Sequence, residues 1–200
     1  MLRLDASTPF ELVNARIEFE TYRGLQALLL APPPEHEIAG RGMLALVPGI
    51  DFKDGTIEVD VAGAPREDAP PDMRGFIGIA FRAKPHGAAA EYFYIRPTNG
   101  RADDQLVRNH ATQYMAEPEF PWQKLREECP GVYESYADME SGAWTHLKIV
   151  VAGVKAQLYV NRTDQPCLIV NDLKLGHSHG QVALWANITT IAHFANLSIQ

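Results

Sequence analysis

The chain has 200 residues, 46% of them hydrophobic and 22% charged. That balance excludes a disordered chain, and the length suits one domain, residues 1–200, with its own core. Lys and Arg number 18 against 25 Asp and Glu, a formal charge of −7. This is the wrong sign for gripping a phosphate backbone, so no nucleic-acid partner is expected.

Residues 1–10 are polar and lack the apolar centre of a signal peptide. The best apolar run, 26–31, stops at Pro32, Pro33 and Pro34, far short of a membrane span. No membrane partner is expected, and the expected compartment is the cytoplasm, or outside the cell if a leader has been removed. Two cysteines, Cys129 and Cys167, make no disulfide framework, and whether they pair stays open. The sequence leaves the oligomeric state open as well.

Glycine (15) and proline (14) punctuate the chain too often for long helices. Short alternating runs follow one another instead. Residues 15–22 set Ile17 and Phe19 against Glu18 and Glu20, and 25–30 and 42–47 are short apolar runs. Residues 56–61 alternate Ile57, Val59 and Val61 with Glu58 and Asp60. Residues 76–82 place Ile77, Ile79 and Phe81 opposite Gly78, Ala80 and Arg82. Residues 91–96 place Phe93 and Ile95 opposite Tyr92, Tyr94 and Arg96. Further runs lie at 145–151 (Leu147, Ile149), 156–161 (Leu158, Val160), 166–170, 180–186 (Leu184) and 192–199. About eleven short strands with turn residues between them, including Ala152-Gly153 between two runs, predict an all-β sandwich or barrel. The core should hold the apolar residues just named.

Residues 97–143 break the pattern. Helices are expected at 106–115 and 121–128, inside a long insert rich in polar and aromatic groups. Asn99, Arg101, Asp103, Asp104, Asn109, His110, Gln113, Tyr114, Trp122, Tyr133, Glu134 and Tyr136 all fall there. A connection of this length in a compact domain is usually functional, and its aromatic residues predict that it packs over one sheet.

The segments 52–61 (Phe-Lys-Asp-Gly-Thr-Ile-Glu-Val-Asp-Val) and 75–82 (Gly-Phe-Ile-Gly-Ile-Ala-Phe-Arg) resemble the concanavalin A-like lectin/glucanase superfamily. So do Trp144-Thr-His-Leu-Lys-Ile-Val-Val, Ala156-Gln-Leu-Tyr-Val-Asn, Gly180-Gln-Val-Ala-Leu-Trp-Ala and Phe194-Ala-Asn-Leu-Ser-Ile. Laminin-G-like modules and the 3-keto-disaccharide hydrolase domain are the branches it looks most like. The resemblance implies a two-sheet antiparallel jelly roll and a carbohydrate ligand, the fold serving lectins, hydrolases, lyases and adhesion modules alike. It allows calcium, with Asp51 and Asp54 or Asp103 and Asp104 as oxygen donors. No other cofactor is expected. His177 and His179 lack a third ligand nearby, so no zinc site is expected.

Strand alternation then points Glu58, Asp60, Arg82, Tyr92, Tyr94, Arg96, His146, Lys148, Tyr159 and Asn161 out of the sandwich. Aromatic faces suit sugar C–H surfaces, and forked guanidinium groups suit hydroxyls or a carboxylate. Arg82, Tyr94, Arg96, Asn109, Glu58 and Trp122 are the expected sugar-binding residues, with Gly78 and Ala80 leaving room for a ligand. His110 and Tyr114, four apart on the expected helix, are the acid/base pair if there is chemistry. Glu58-Val-Asp60 begins the Glu-X-Asp-X-X-Glu pattern of laminarinase-like enzymes, but Gly63 stands where the last carboxylate would be. Three readings follow: a carbohydrate-binding domain, a glycoside hydrolase or polysaccharide lyase with a cleft built from the sheet and the insert, and a structural sandwich without a small ligand.

Overall fold

A computed structural model describes residues 4–34 and 42–200; the first three residues of the polar 1–10 segment lie outside them. Among the described residues the strands are β1 (Glu11–Val13), β2 (Arg16–Tyr22), β3 (Leu25–Ala31), β4 (Met43–Leu46), β5 (Gly55–Pro65), β6 (Ile77–Ala83), β7 (Ala90–Ile95), β8 (Thr112–Glu117), β9 (Glu134–Ser135), β10 (Thr145–Ala152), β11 (Lys155–Val160), β12 (Leu168–Val170), β13 (Gln181–Ala186) and β14 (Thr190–Ile199). Two short helices, α1 (Gln105–Asn109) and α2 (Trp122–Glu128), lie between β7 and β9.

The strands form two seven-stranded sheets. The first runs β1-β4-β13-β6-β7-β8-β9 and the second β12-β11-β10-β5-β14-β3-β2. The pairings are antiparallel, as in a two-sheet jelly roll. Each of the eleven runs read from alternation is a strand. The pattern is cleanest in β10, where Thr145, Leu147, Ile149 and Val151 are buried and His146, Lys148 and Val150 are partly exposed. Ile77, Ile79, Phe81, Phe93, Ile95, Leu147, Ile149, Leu158, Val160 and Leu184 are all buried in one shared core. The β10–β11 turn is Gly153-Val154, one residue later than the sequence suggests, because Ala152 pairs with Lys155. Gly153 takes the positive φ (+60°) that the first position of a type II′ hairpin turn requires.

The insert departs from expectation. The helix predicted over 106–115 ends at Asn109, and the chain then re-enters the first sheet as β8, paired with β7. Asp104 caps α1 by accepting from Val107 N–H at 3.0 Å. The inward positions of β8 are Thr112, Tyr114 and Ala116, with no Val, Ile or Leu among them, so the strand carries little apolar alternation. α2 forms where predicted and packs against β8. The insert therefore extends the first sheet with β8 and β9 and lays α2 beside it.

Candidate functional site

The site is built on the outer face of the first sheet. The register sets Trp185, Gly78, Tyr94, Gln113 and Glu134 in one row across β13, β6, β7, β8 and β9. Such a row would normally be polar and wet, yet here it is mostly buried. The space over Gly78 is closed: a Cβ there would lie 2.1 Å from the Phe93 carbonyl oxygen. Across it, Tyr94 and Trp185 meet with ring centroids 5.0 Å apart. Tyr92 meets Trp185 edge to face, with ring centroids 5.8 Å apart. The room that Gly78 and Ala80 were expected to leave for a ligand is thus filled by aromatic packing.

Arg96 lies at the end of this face, where Pro97 stops β7. It is 4% exposed and tightly held. Nη1 donates to the His110 carbonyl at 2.9 Å and to Glu134 at 3.3 Å. Nη2 donates to Gln113 Oε1 at 2.9 Å and to the Tyr94 hydroxyl at 3.0 Å. Its guanidinium carbon lies 5.1 Å from the Tyr94 ring, 5.7 Å from Trp122 and 5.8 Å from Phe76. Burial pushes the Tyr94 hydroxyl up to about 12, so it stays a neutral partner of Arg96.

Helix α2 adds the second cation. Trp122 and Arg126 are four residues apart and share one face, with the guanidinium 4.5 Å from the indole. Arg126 also forks onto Glu134, through Nε at 2.9 Å and through Nη2. Glu134 therefore sits beneath two guanidinium groups, with His110 Nε2 3.6 Å from Oε2, the oxygen that Arg126 Nε also reaches. Burial lowers the His110 pKa below the usual imidazole value; Arg126 and Arg96 add to this, and Glu134 opposes it.

Above these groups lies a cleft of about 280 Å³, walled by Phe76, Trp122, Arg96, Arg126, His110, Val107 and Asn99, and by Asp72, Met73 and Arg74 of the β5–β6 connection. Asn99 donates Nδ2 to the His110 carbonyl at 3.1 Å, while its buried Oδ1 has no hydrogen-bond partner. A smaller hollow of about 120 Å³, lined by Tyr94, Trp185, Met115, Glu117 and Asn187, shares Phe76 and Trp122 with it.

Of the residues expected at the site, Tyr94, Arg96, His110 and Trp122 come together here. Four do not. Arg82 sits in a β-bulge, where Phe81 and Arg82 together oppose Val182, and takes a positive φ of 52°. The bulge breaks the alternation and sends the side chain to the loops that end the second sheet. There Nε meets the Lys53 carbonyl, Nη1 that of Gly176, and Nη2 that of Gly153 and the Asp54 carboxylate. Tyr114 faces inward beside Phe93 and bonds to the buried Glu91. It is therefore not one helical turn from His110, and the two form no acid/base pair. Asn109, at the exposed end of α1, is held by Gln105. Glu58 is on the outer face of the second sheet, where His146 lies between it (3.2 Å) and Asp60 (2.8 Å).

Three of the four carboxylates considered for calcium have protein partners. Asp54 binds Arg82 and the Gly153 N–H, Asp51 binds His179, and Asp104 caps α1. Among the described residues no group of three or more His, Cys, Asp or Glu could hold a metal. Arg126, Phe76, Arg74 and Trp185 belong to the site without having been anticipated there. Arg126 was the most readable, because its spacing of four from Trp122 places both on one face of a predicted helix.

No protein-family model matches the chain, and no curated protein matches it in sequence. Solved structures do match in fold. The carbohydrate-binding module CBM66 from Bacillus subtilis aligns with a TM-score of 0.63 at 16% identity, over 96% of each chain. A Bacillus subtilis protein with a galectin-like fold aligns at 0.56 and 11% identity, over 96% of this chain and 89% of that one. The carbohydrate recognition domain of Emp46p aligns at 0.52 and 13% identity, over 95% and 87%. The chain thus shares the two-sheet antiparallel β-sandwich fold of these proteins.

Proposed function

We propose that the protein binds carbohydrate in the cleft between Phe76, Trp122 and Arg96. One observation carries the reading: a buried guanidinium, held by four acceptors, forms the base of a cleft walled by two half-buried aromatic side chains. A sugar needs apolar surface for its C–H faces and fixed polar groups for its hydroxyls, and this cleft offers both. Fixing Arg96 in advance lowers the ordering cost of binding. The fold-level likeness to a carbohydrate-binding module and a carbohydrate recognition domain supports the same reading. Recognition rather than turnover is proposed, because His110 and Tyr114 lie on different sides of the first sheet and Glu58 and Asp60 are engaged by His146 on the other sheet.

A thermal-shift screen against a glycan panel tests this. A saccharide at 100 times its dissociation constant should add about 2.7 kcal/mol of stability. Replacing Trp122 with Ala should weaken that saccharide about tenfold, a change of about 1.4 kcal/mol. Replacing Tyr159, on the second sheet, should leave it unchanged. A saccharide that loses affinity with Tyr159→Ala and not with Trp122→Ala would remove the site from this cleft.

A further inference from the structure

We infer that the cleft selects sugars that carry a carboxylate, such as hexuronic acids. This rests on the carbohydrate reading above and specifies its ligand class.

The first ground is charge. The chain as a whole is acidic, at −7, yet three arginines face this one cleft. Glu134 supplies a single negative charge to two of them, Arg96 and Arg126. Arg74 bonds to the carbonyls of Pro71 (3.1 Å) and Met73 (3.2 Å), which carry no charge to offset it. Asp72, on the same rim, forms no ion pair with it. Counting Asp72 and Glu134 against the three arginines, the cleft retains one positive charge with His110 neutral.

The second ground is the kind of polar group present. A hydroxyl both donates and accepts, whereas a carboxylate only accepts. Guanidinium groups only donate. In the structure Arg126 Nη1 and Arg74 Nε and Nη2 make no hydrogen bond to any described residue. A neutral sugar could place hydroxyl protons on Asn99 Oδ1 and Asp72, but it would leave these charged donors without an ionic partner. A carboxylate meets them as an acceptor, with the added strength of an ionic hydrogen bond. Phe76 and Trp122 remain for the ring of the same sugar.

Isothermal titration of the full chain with matched methyl glycosides tests the inference: glucuronide against glucoside, galacturonide against galactoside, and galactoside 6-sulfate. A uronide should bind at least about tenfold more tightly than its neutral partner. Arg74→Gln, at the rim and outside the Glu134 network, should cancel most of that difference, weakening the uronide far more than the neutral sugar. Arg126→Gln should do the same; because it also uncovers Glu134, Arg74→Gln is the deciding variant. Added salt should weaken the uronide and not the neutral sugar. A neutral sugar that binds as tightly as its uronide, a preference for the sulfate ester over the uronide, or a uronide preference that survives both variants would overturn the inference while leaving carbohydrate binding intact. If no saccharide in the panel binds, the carbohydrate reading falls together with the inference.

Discussion

Arg82 and Arg96 sit on neighbouring strands at opposite ends of the same strand pair, since Ile77 pairs with Ile95 and Phe81 with Glu91. Both are buried, at 0% and 4% exposure, and both gather several acceptors. What surrounds them differs. Arg82 donates to three backbone carbonyls and Asp54, drawn from three separate loops, so it fastens chain ends together. Arg96 bonds mainly to its own sheet, to Tyr94, Gln113 and Glu134, and the groups above it enclose an open cleft. Burial of an arginine therefore does not separate a structural role from a binding one. The identity of its acceptors, and the presence or absence of space beside it, does.

The largest expected effect breaks the comparison at the Arg82 end. Arg82→Met leaves the carbonyls of Lys53, Gly153 and Gly176 without their shared donor, at about 1–3 kcal/mol each where buried, so the total should be about 3–5 kcal/mol of stability; Asp54, half-exposed, adds little. Chemical denaturation would read the loss as a lower midpoint at unchanged slope. Saccharide affinity of the protein that remains folded should not change. Arg96→Met should cost less, about 2 kcal/mol, because Arg126 still neutralises Glu134, but it should abolish saccharide binding. If Arg96→Met bound normally, or Arg82→Met bound poorly while folded, the two roles would be exchanged.

The same contrast shows what a sequence can and cannot reveal here. Apolar patterning located β2–β7 and β10–β14, because a two-sided core imposes that pattern directly, and missed β1 and β9, which are only three and two residues long. It failed for β8, whose inward positions are Thr112, Tyr114 and Ala116. It failed for Arg82 because a single bulge residue reverses the facing of a side chain, and bulges leave no alternation signal. It placed Tyr94 and Arg96 on the outer face correctly but could not say that the face was covered. That depends on α2 and residues 72–74, which reach it from separate parts of the chain. Glu58 and Arg96 looked alike as outward residues, and only the sheet order put them on different sheets.

A pH experiment sharpens the interior side of the comparison. Glu91 faces the core near Arg82, accepting from Tyr114 and from the Leu175 N–H at 2.9 Å. Burial raises its pKa, with Tyr114 the largest opposing influence. A carboxyl whose folded pKa is raised stabilises the fold fully below its unfolded value, about 4.5, and loses that contribution as pH climbs through the folded value. Stability from this group should therefore fall as pH rises from about 4.5. Glu91→Gln should cost about 1 kcal/mol at acid pH and should abolish that fall. Equal slopes for the two proteins would mean that burial does not raise the Glu91 pKa.

The smallest effect belongs to the outer face of the second sheet, where the side chains are as polar as alternation expects. His146 lies between Asp60 and Glu58, and Asp60 also accepts from Asn196 at 2.7 Å. Each ring nitrogen of His146 thus faces a carboxylate oxygen. Glu58 is one-third exposed, however, and water screens its share of the pairing. Its longer contact, 3.2 Å against 2.8 Å for Asp60, makes it the weaker partner. Glu58→Gln keeps the shape and an acceptor while removing the charge, and it should cost between about 0 and 1 kcal/mol. Saccharide affinity should be untouched, because the cleft lies outside the other sheet. A clear loss of binding in Glu58→Gln, with the midpoint of denaturation unmoved, would show that the open polar face recognises the ligand and that the aromatic cleft over Arg96 does not.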